Sequence, residues 1–414
     1  MRRTLWRIAL TAVTTVGLTT ACSTTPTESA PAGPAQLIQP MTKVTTQPRQ
    51  GYYSDPYPIR VAKPGTLPQS FSGTTSELLS CAGTPTKGCF QATPMTVSIG
   101  PSLTAQLAGS TLRNRINNNV FQDDSGAWQL AVTYYVANPR YPQAKAWTAV
   151  VHARPAQASG TAVPTDWVAD SLVAGDFTKP TKANYDGKYF QDNGKLYLVY
   201  SERLTDNPAR DGIVAQPMAT AAIPAPGKPT VLLAPGDFRS ELFFGLDQPA
   251  TFKLIETGNI TQVNGKYVMA YSTGEYDDPG YKIGLAWSDT FLPAAGAGYR
   301  KLTMPDPTGV WGTPNHAEVR YLLQSQESKW PNYIAKTVVA PGVPAVIQDN
   351  GRWYLTFAGY QPADAVVDPK TGHFPPSSRR PYFAPLAVRI PPNATVEQTS
   401  EADLANWLTI SAAS

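Results

Sequence analysis

A motif that recurs four times constrains this chain more than any other feature. An apolar residue, a short polar turn ending in glycine and an aromatic-rich run appear as VFQDDSGAWQLAVTYY from Val120, YFQDNGKLYLVYS from Tyr189, NITQVNGKYVMAYS from Asn259 and VIQDNGRWYLTFAGY from Val346. Each reads as a β-hairpin, because Asn and Gly accept the positive φ that tight hairpin turns require. The apolar residues that close the first strands, Phe121, Phe190, Ile260 and Ile347, follow one another at 69, 70 and 87 residues. Such a period holds four strands per unit with long loops, and self-similarity at this spacing favours a radial repeat over a sandwich or a barrel. A step of 62 residues back from Phe121 reaches Ile59 in SDPYPIRV, a fifth copy in which Pro58, Pro64 and Pro68 stand where the other copies have strand residues. Proline is poorly tolerated in a central strand. The expected fold is all-β, a five-bladed β-propeller over residues 51–392, with YKIGLAWSDTF from Tyr281 and RRPYFAPLAVRI from Arg379 as outer strands. If the copy at Ile59 lies outside the ring, four blades and a tail remain.

The N-terminus reads differently. Arg2, Arg3 and Arg7 precede an apolar run from Ile8 to Ala21 and then Cys22, the pattern of a secretory signal rather than a membrane span. Leu18-Thr-Thr-Ala-Cys22 resembles a bacterial lipobox, with Thr19 where Leu is usual. That resemblance implies a signal over residues 1–21, lipidation of Cys22 and an exported lipoprotein on the outer face of the cytoplasmic membrane. Residues 22–50, rich in Ser, Thr, Pro, Ala and Gln, read as a flexible tether, and residues 393–414 as a C-terminal tail packing on the propeller. In an oxidising compartment Cys81 and Cys89 are expected to form a disulfide closing a short loop, since no further Cys or His stands at zinc spacing. With 34 basic and 30 acidic residues and no long block of like charge, nothing suggests a nucleic-acid partner. The histidines, His152, His316 and His373, are scattered.

In a propeller the innermost strands converge at one end of a central channel, so equivalent positions face a common pocket. The position four before each closing apolar residue is Asp55, Asn117, Asp186, Glu256 and Val343. Three of these five are carboxylates. Asp123, Asp124, Asp192 and Asp349 sit inside hairpin turns, where acids serve the turn itself. Asp186 and Glu256 instead precede a buried strand, and carboxylates converging on one pocket shift each other's pKa, as acid–base chemistry requires.

This five-position pattern resembles the five-bladed propeller glycosidases of glycoside hydrolase family 43, and more loosely the fructan-acting propellers. The resemblance implies that Asp55, in Asp55-Pro56, is the general base, that Glu256 is the general acid, and that Asp186 positions Glu256 and raises its pKa. It also implies inverting hydrolysis of a pentose- or furanose-containing glycan, with base and acid roughly 6.5–9.5 Å apart. The chain departs from the pattern at Gly187, where Pro is usual, at Thr257-Gly258 in place of Gly-Pro, and at Val343, where a His near a metal is common. Tyr185 stands where the fructan-acting relatives have Arg. Asn117 is a candidate for a sugar hydroxyl or for a purely structural role. Trp311 is a candidate stacking platform or a blade-core residue, and His316 a candidate replacement for the missing histidine or an ordinary surface histidine. Arg239 and Glu241 are rim residues or a surface ion pair. No cofactor and no metal is expected. The implied partners are a polysaccharide or oligosaccharide substrate and, through the lipid, a membrane, with the chain a monomer. The departures leave open a catalytically inactive glycan-binding or structural envelope propeller, since fold does not imply function.

Overall fold

The computed structural model describes residues 39–40, 42–44, 55–61, 70–73, 76–80, 89–144, 147–157, 160, 162–243, 251–294, 296–305, 316–325, 338–349 and 351–410. Apart from a separate two-stranded sheet in which Thr303–Pro305 pairs with Ala317–Val319, five mainly antiparallel sheets follow one another along the chain. Their innermost strands are Tyr57–Pro58, Thr111–Gln122, Tyr185–Asp192, Glu256–Val263 and Val339–Asp349. All but the first of these are hairpin-paired to the strand that the repeated motif supplies. The turns are those that the motif demands: Asn193 and Gly194 have φ of 48° and 75°, and Asn264 and Gly265 have 47° and 78°. Two consecutive residues with positive φ twist a two-residue turn the way the flanking strands twist. Lys282–Ser288 and Arg380–Val388 are the third strands of blades four and five, as their sequences suggest.

The ring closes through its weakest copy. Blade one has an inner strand of only two residues, yet Phe71 and Leu79 from its next strands pack with Ala345, Ile347, Tyr354 and Phe383 of blade five. Comparable apolar clusters join blade one to two, two to three, three to four and four to five. Apolar clusters therefore join all five pairs of neighbouring blades, which makes a five-bladed ring rather than four blades and a tail.

The tether is shorter than the sequence suggests. Gln39–Pro40 pairs with Arg380–Val388 at the outer edge of blade five, and Thr42–Val44 runs parallel to Cys89–Pro94 at the outer edge of blade one. Outer strands of two and three residues are too short to show an apolar periodicity. The C-terminal segment completes the same region. A helix at Glu401–Trp407, N-capped by Ser400, leads into Leu408–Ile410, which pairs with Arg380–Val388. Trp407, 1% exposed, meets the Trp287 ring edge-on at 5.4 Å. Cys22 and Cys81 lie outside the described residues, and Cys89 opens the fourth strand of blade one. No helix among the described residues is long and apolar enough to cross a membrane.

Because Trp407 fills the junction of blades four and five, Trp407→Ala is expected to destabilise the propeller by about 3–5 kcal/mol. Urea unfolding followed by tryptophan fluorescence measures it; a loss under 1 kcal/mol would place the C-terminal segment outside the cooperative unit.

Candidate active site

At the end of the channel where the inner strands begin, a cavity of about 750 Å³ opens, a size suited to a small-molecule or oligosaccharide ligand. Asp55, Asp186, Glu256 and Val343 all line it. A second cavity at the opposite end is lined by residues from the far ends of the same strands, among them Phe190, Asp192, Thr261 and Ile347. Between the two ends, Asn119, Lys188 and Asn259 leave only a space of about 10 Å³. The upper cavity therefore has a floor.

The inner strands do not enter this cavity in one register. In blade three the pairing runs from Tyr185 opposite Ser201 to Lys188 opposite Val199, so Asp186 and Gly187 bulge. Blade four repeats this with Glu256 opposite Ser272 and Asn259 opposite Ala270, so that Thr257 and Gly258 bulge. In blade five the bulge is Val343-Pro344, between Gly342 and Ala345. The first residue of each bulge is left-handed, with φ of 58° at Asp186, 57° at Thr257 and 55° at Val343. Blades three and five thus agree with the spacing of four residues, whereas Glu256 is level with Tyr185 and not with Asp186. Ile260 is the counterpart of Tyr189, so counting from the apolar residue shifts blade four by one. Glu256, the last paired residue before the bulge, still lines the pocket.

Glu256 is held by two tyrosines. The Tyr185 hydroxyl donates to its Oε2 at 3.1 Å, and the Tyr281 hydroxyl to its Oε1 at 2.5 Å. Tyr281 can come so close because the counterpart of Tyr185 and Glu256 in blade five is Gly342. A Cβ there would lie 1.8 Å from the Tyr281 ring. Burial, reinforced by the charges of Asp186 and Asp55, pushes the Glu256 carboxyl up to about 8, while the two tyrosine hydrogen bonds work in the opposite direction. Glu256 is thus mostly protonated at neutral pH, as a general acid must be.

Asp186 is 5% exposed and is fixed from three directions. The Asn117 side-chain amide donates to its Oδ1, its backbone N–H donates to Thr133 Oγ1 at 3.1 Å, and Lys188 Nζ donates to its carbonyl at 2.9 Å. Burial raises its pKa, and the Lys188 charge acts in the opposite sense. Lys188 itself is lowered to about 8 by burial, and its ammonium sits 4.1 Å from the centre of the Tyr57 ring. Asp55, 8% exposed, precedes that ring. The Arg379 guanidinium, 4.9 Å from the Tyr281 ring centre, completes the blade-five side of the lining.

Over residues 133–338 the chain matches the family model described as glycosyl hydrolases family 43. The matched segment, 206 of the 414 residues, is that of a family 43 glycoside hydrolase. Its fold is similar to that of a thermostable family-43 glycoside hydrolase, at 15% identity and a TM-score of 0.55, over 84% of this chain and 94% of that one. It is also similar to the α-L-arabinofuranosidase from Lactobacillus brevis, at 15% identity and a TM-score of 0.59, over 86% and 95%. An exo-1,5-α-L-arabinanase from a bovine ruminal metagenomic library shares 13% identity at a TM-score of 0.52, over 82% and 95%. No curated protein matches the sequence at a significant level.

Other candidates in this hydrolase are redistributed. Asn117 is 1% exposed and spends its amide on Asp186, so its role is to hold that carboxylate and not to meet a sugar. His316, with a side chain 57% exposed, faces Glu318 at 3.9 Å and is not among the residues lining the cavity, so it does not replace the missing blade-five histidine. Trp311 lies outside the described residues. Glu241 is neither a rim residue nor a surface ion pair: it is wholly buried against Lys301. The sequence reading missed Tyr57, Lys188, Tyr281 and Arg379. Tyr57 and Lys188 flank the Asp55 and Asp186 positions inside the repeat and could have been found there; Tyr281 and Arg379 come from segments outside it.

Glu256 loses its proton as pH rises through about 8, so kcat is expected to fall along an alkaline limb near that pH. Tyr281→Phe removes a hydrogen bond that favours the carboxylate, which raises the Glu256 pKa further and should move the limb to higher pH. A kcat–pH profile of both proteins checks the sign, and a limb displaced downward contradicts it. Gly342→Ala must push the Tyr281 ring aside and is expected to lower kcat at least about tenfold with KM less affected, measured by steady-state kinetics.

Proposed function

We propose that this hydrolase cleaves pentose- or furanose-containing glycans with inversion of configuration. The observation that carries the reading is a buried carboxyl, Glu256, kept mostly neutral at pH 7 in a cavity that two further carboxylates, Asp55 and Asp186, also line. Glu256 donates its proton to the glycosidic oxygen as the bond to the sugar breaks. Asp55 accepts a proton from the water that attacks the opposite face of the ring, so the water is divided between the two products. Asp186 does not touch the leaving group. Its charge keeps the Glu256 proton in place, and the Asn117 amide, the Thr133 hydroxyl and Lys188 keep Asp186 in place. The substrate class is supported by the likeness to an α-L-arabinofuranosidase and an exo-1,5-α-L-arabinanase. The basic, apolar leader ending at Cys22 supports a place at the cell envelope, with a lipid anchor ahead of the first outer strand.

The test is hydrolysis of aryl pentosides, aryl furanosides and arabinan by the wild type, Asp55→Asn and Glu256→Gln. Asp55→Asn should lower kcat by about 10²–10⁴-fold on every substrate. Glu256→Gln should do so on arabinan, but much less on aryl glycosides whose leaving group needs no proton. NMR of the first-formed sugar should show the inverted anomer. Retention of configuration would refute the assignment of Asp55 as base, and no turnover on any of these substrates would refute the substrate class.

A further inference from the structure

Beside the cavity, a second group of side chains has no part in the proposed hydrolysis. Glu275 and Asp277 lie in the loop between the second and third strands of blade four, and His373 lies in the loop before the third strand of blade five. Glu275 Oε2, Asp277 Oδ1 and His373 Nδ1 are each shut off from solvent, and none makes a hydrogen bond. Ligand atoms from all three residues lie within 4.8 Å of one another, and His373 Nδ1 stands 3.6 Å from Asp277 Oδ1, too far for a hydrogen bond. Asp277 is 8% exposed.

Buried polar atoms are almost always satisfied, and each one left without a partner is costly. Three of them converging, two on carboxylates that repel each other, describe a place shaped for a positive charge. The surrounding backbone fixes it. The Phe374 N–H donates to the Asp277 carbonyl at 2.9 Å, tying the two loops together, and the Phe374 ring packs against Tyr360 with centres 5.2 Å apart. This backbone bond and ring contact hold the loops together along with the His373–Asp277 ion pair at 3.6 Å, whose two atoms a cation could bridge.

We propose that Glu275, Asp277 and His373 bind a divalent cation of the zinc class, outside the central channel. One imidazole nitrogen and two carboxylate oxygens are three ligands of a tetrahedral zinc site, with water as the fourth. Calcium, which takes six to eight oxygens, is a poorer match. The ion clamps the loops of blades four and five behind the cavity wall. Tyr276, between the two carboxylate ligands, lines the cavity, and its carbonyl accepts from Arg379 Nη1 at 3.4 Å. Metal binding therefore steadies one rim of the pocket without touching the reacting groups.

The full-length protein, stripped with EDTA and dialysed, is titrated by calorimetry with Zn²⁺ alone, then with Mn²⁺ and Ca²⁺, and its thermal midpoint is followed in parallel. One equivalent of Zn²⁺ per chain with a midpoint raised by a few degrees is expected. His373→Ala, at a partly exposed position, should keep the wild-type circular dichroism and bind Zn²⁺ at least about tenfold more weakly. Asp277→Asn should abolish the midpoint shift. No saturable Zn²⁺ or Mn²⁺ binding, binding of Ca²⁺ alone, or Zn²⁺ affinity unchanged in His373→Ala would each overturn the proposal. Calorimetric binding is independent of turnover, so a failure here leaves the roles of Asp55 and Glu256 untouched.

Discussion

The blades are pressed together so closely at the mouth of the channel that two positions have no room for a methyl group and a third is tight, and the polar site is built on that closeness. A Cβ on Gly187 would meet Val150 of blade two at 2.5 Å, one on Gly258 would meet Ile213 of blade three at 3.0 Å, and one on Gly342 would meet Tyr281 at 1.8 Å. Contacts below 3.0 Å require something to move, and packed interiors yield little. Gly187 and Gly258 are the second residues of the bulges that turn blades three and four into the pocket. What looks in sequence like a departure from the family pattern at Gly187 lets the inner strand of blade three lie against blade two, whereas blade five has Pro344 at the same place in its bulge. The first residue of each bulge carries a left-handed φ, tolerable for Asp186 and costly for a β-branched Val343. That a valine accepts it shows how firmly the packing dictates the bend.

The same closeness sets the electrostatics. Burial is the largest influence on Asp186, Glu256 and Lys188 alike, pushing the acids up and the amine down. Neighbouring charges then separate the two acids. Asp186 has Lys188 beside it to favour its ionised form, whereas Glu256 has Asp186 and Asp55, which disfavour its own. One carboxyl is thereby set up to hold charge and the other to hold a proton. The tyrosines moderate this, since both hydroxyls favour the ionised form of Glu256 and keep it from being so weak an acid that it could not give its proton away. Removing burial at the mouth would collapse the distinction, because exposed carboxyls return to similar values.

The repeat, its turn chemistry and the Asp55-Pro56 pair are legible from the chain because each is a local pattern: a turn needs Asn-Gly, and a half-buried strand alternates. Blade one is legible only as a spacing, since Pro58 stands within its inner strand of two residues. The edge strands at Gln39–Pro40 and Thr42–Val44 leave no trace in the sequence, because two or three residues are too few to show an alternating pattern. The placing of Glu256 shows the limit most clearly. Its identity as a pocket residue follows from the repeat, yet its register is one residue away from the count, because Ile260 and Phe190 are both apolar and only the pairing reveals that they are not counterparts.

By itself the sequence determined that the chain forms repeated hairpins, that the hairpins make a ring, and that carboxylates gather at one end of it. These follow from local conformational preference and period, which act along the chain. Tertiary structure alone decided which groups stand around those carboxylates: Tyr281 and Arg379 reach the site from outside the repeat, Asn117 turns away from the cavity to hold Asp186, and His316 stays at the surface. It also decided which carboxyl keeps its proton. Desolvation and the sum of nearby charges are properties of the assembled interior, and no order of residues along a strand contains them.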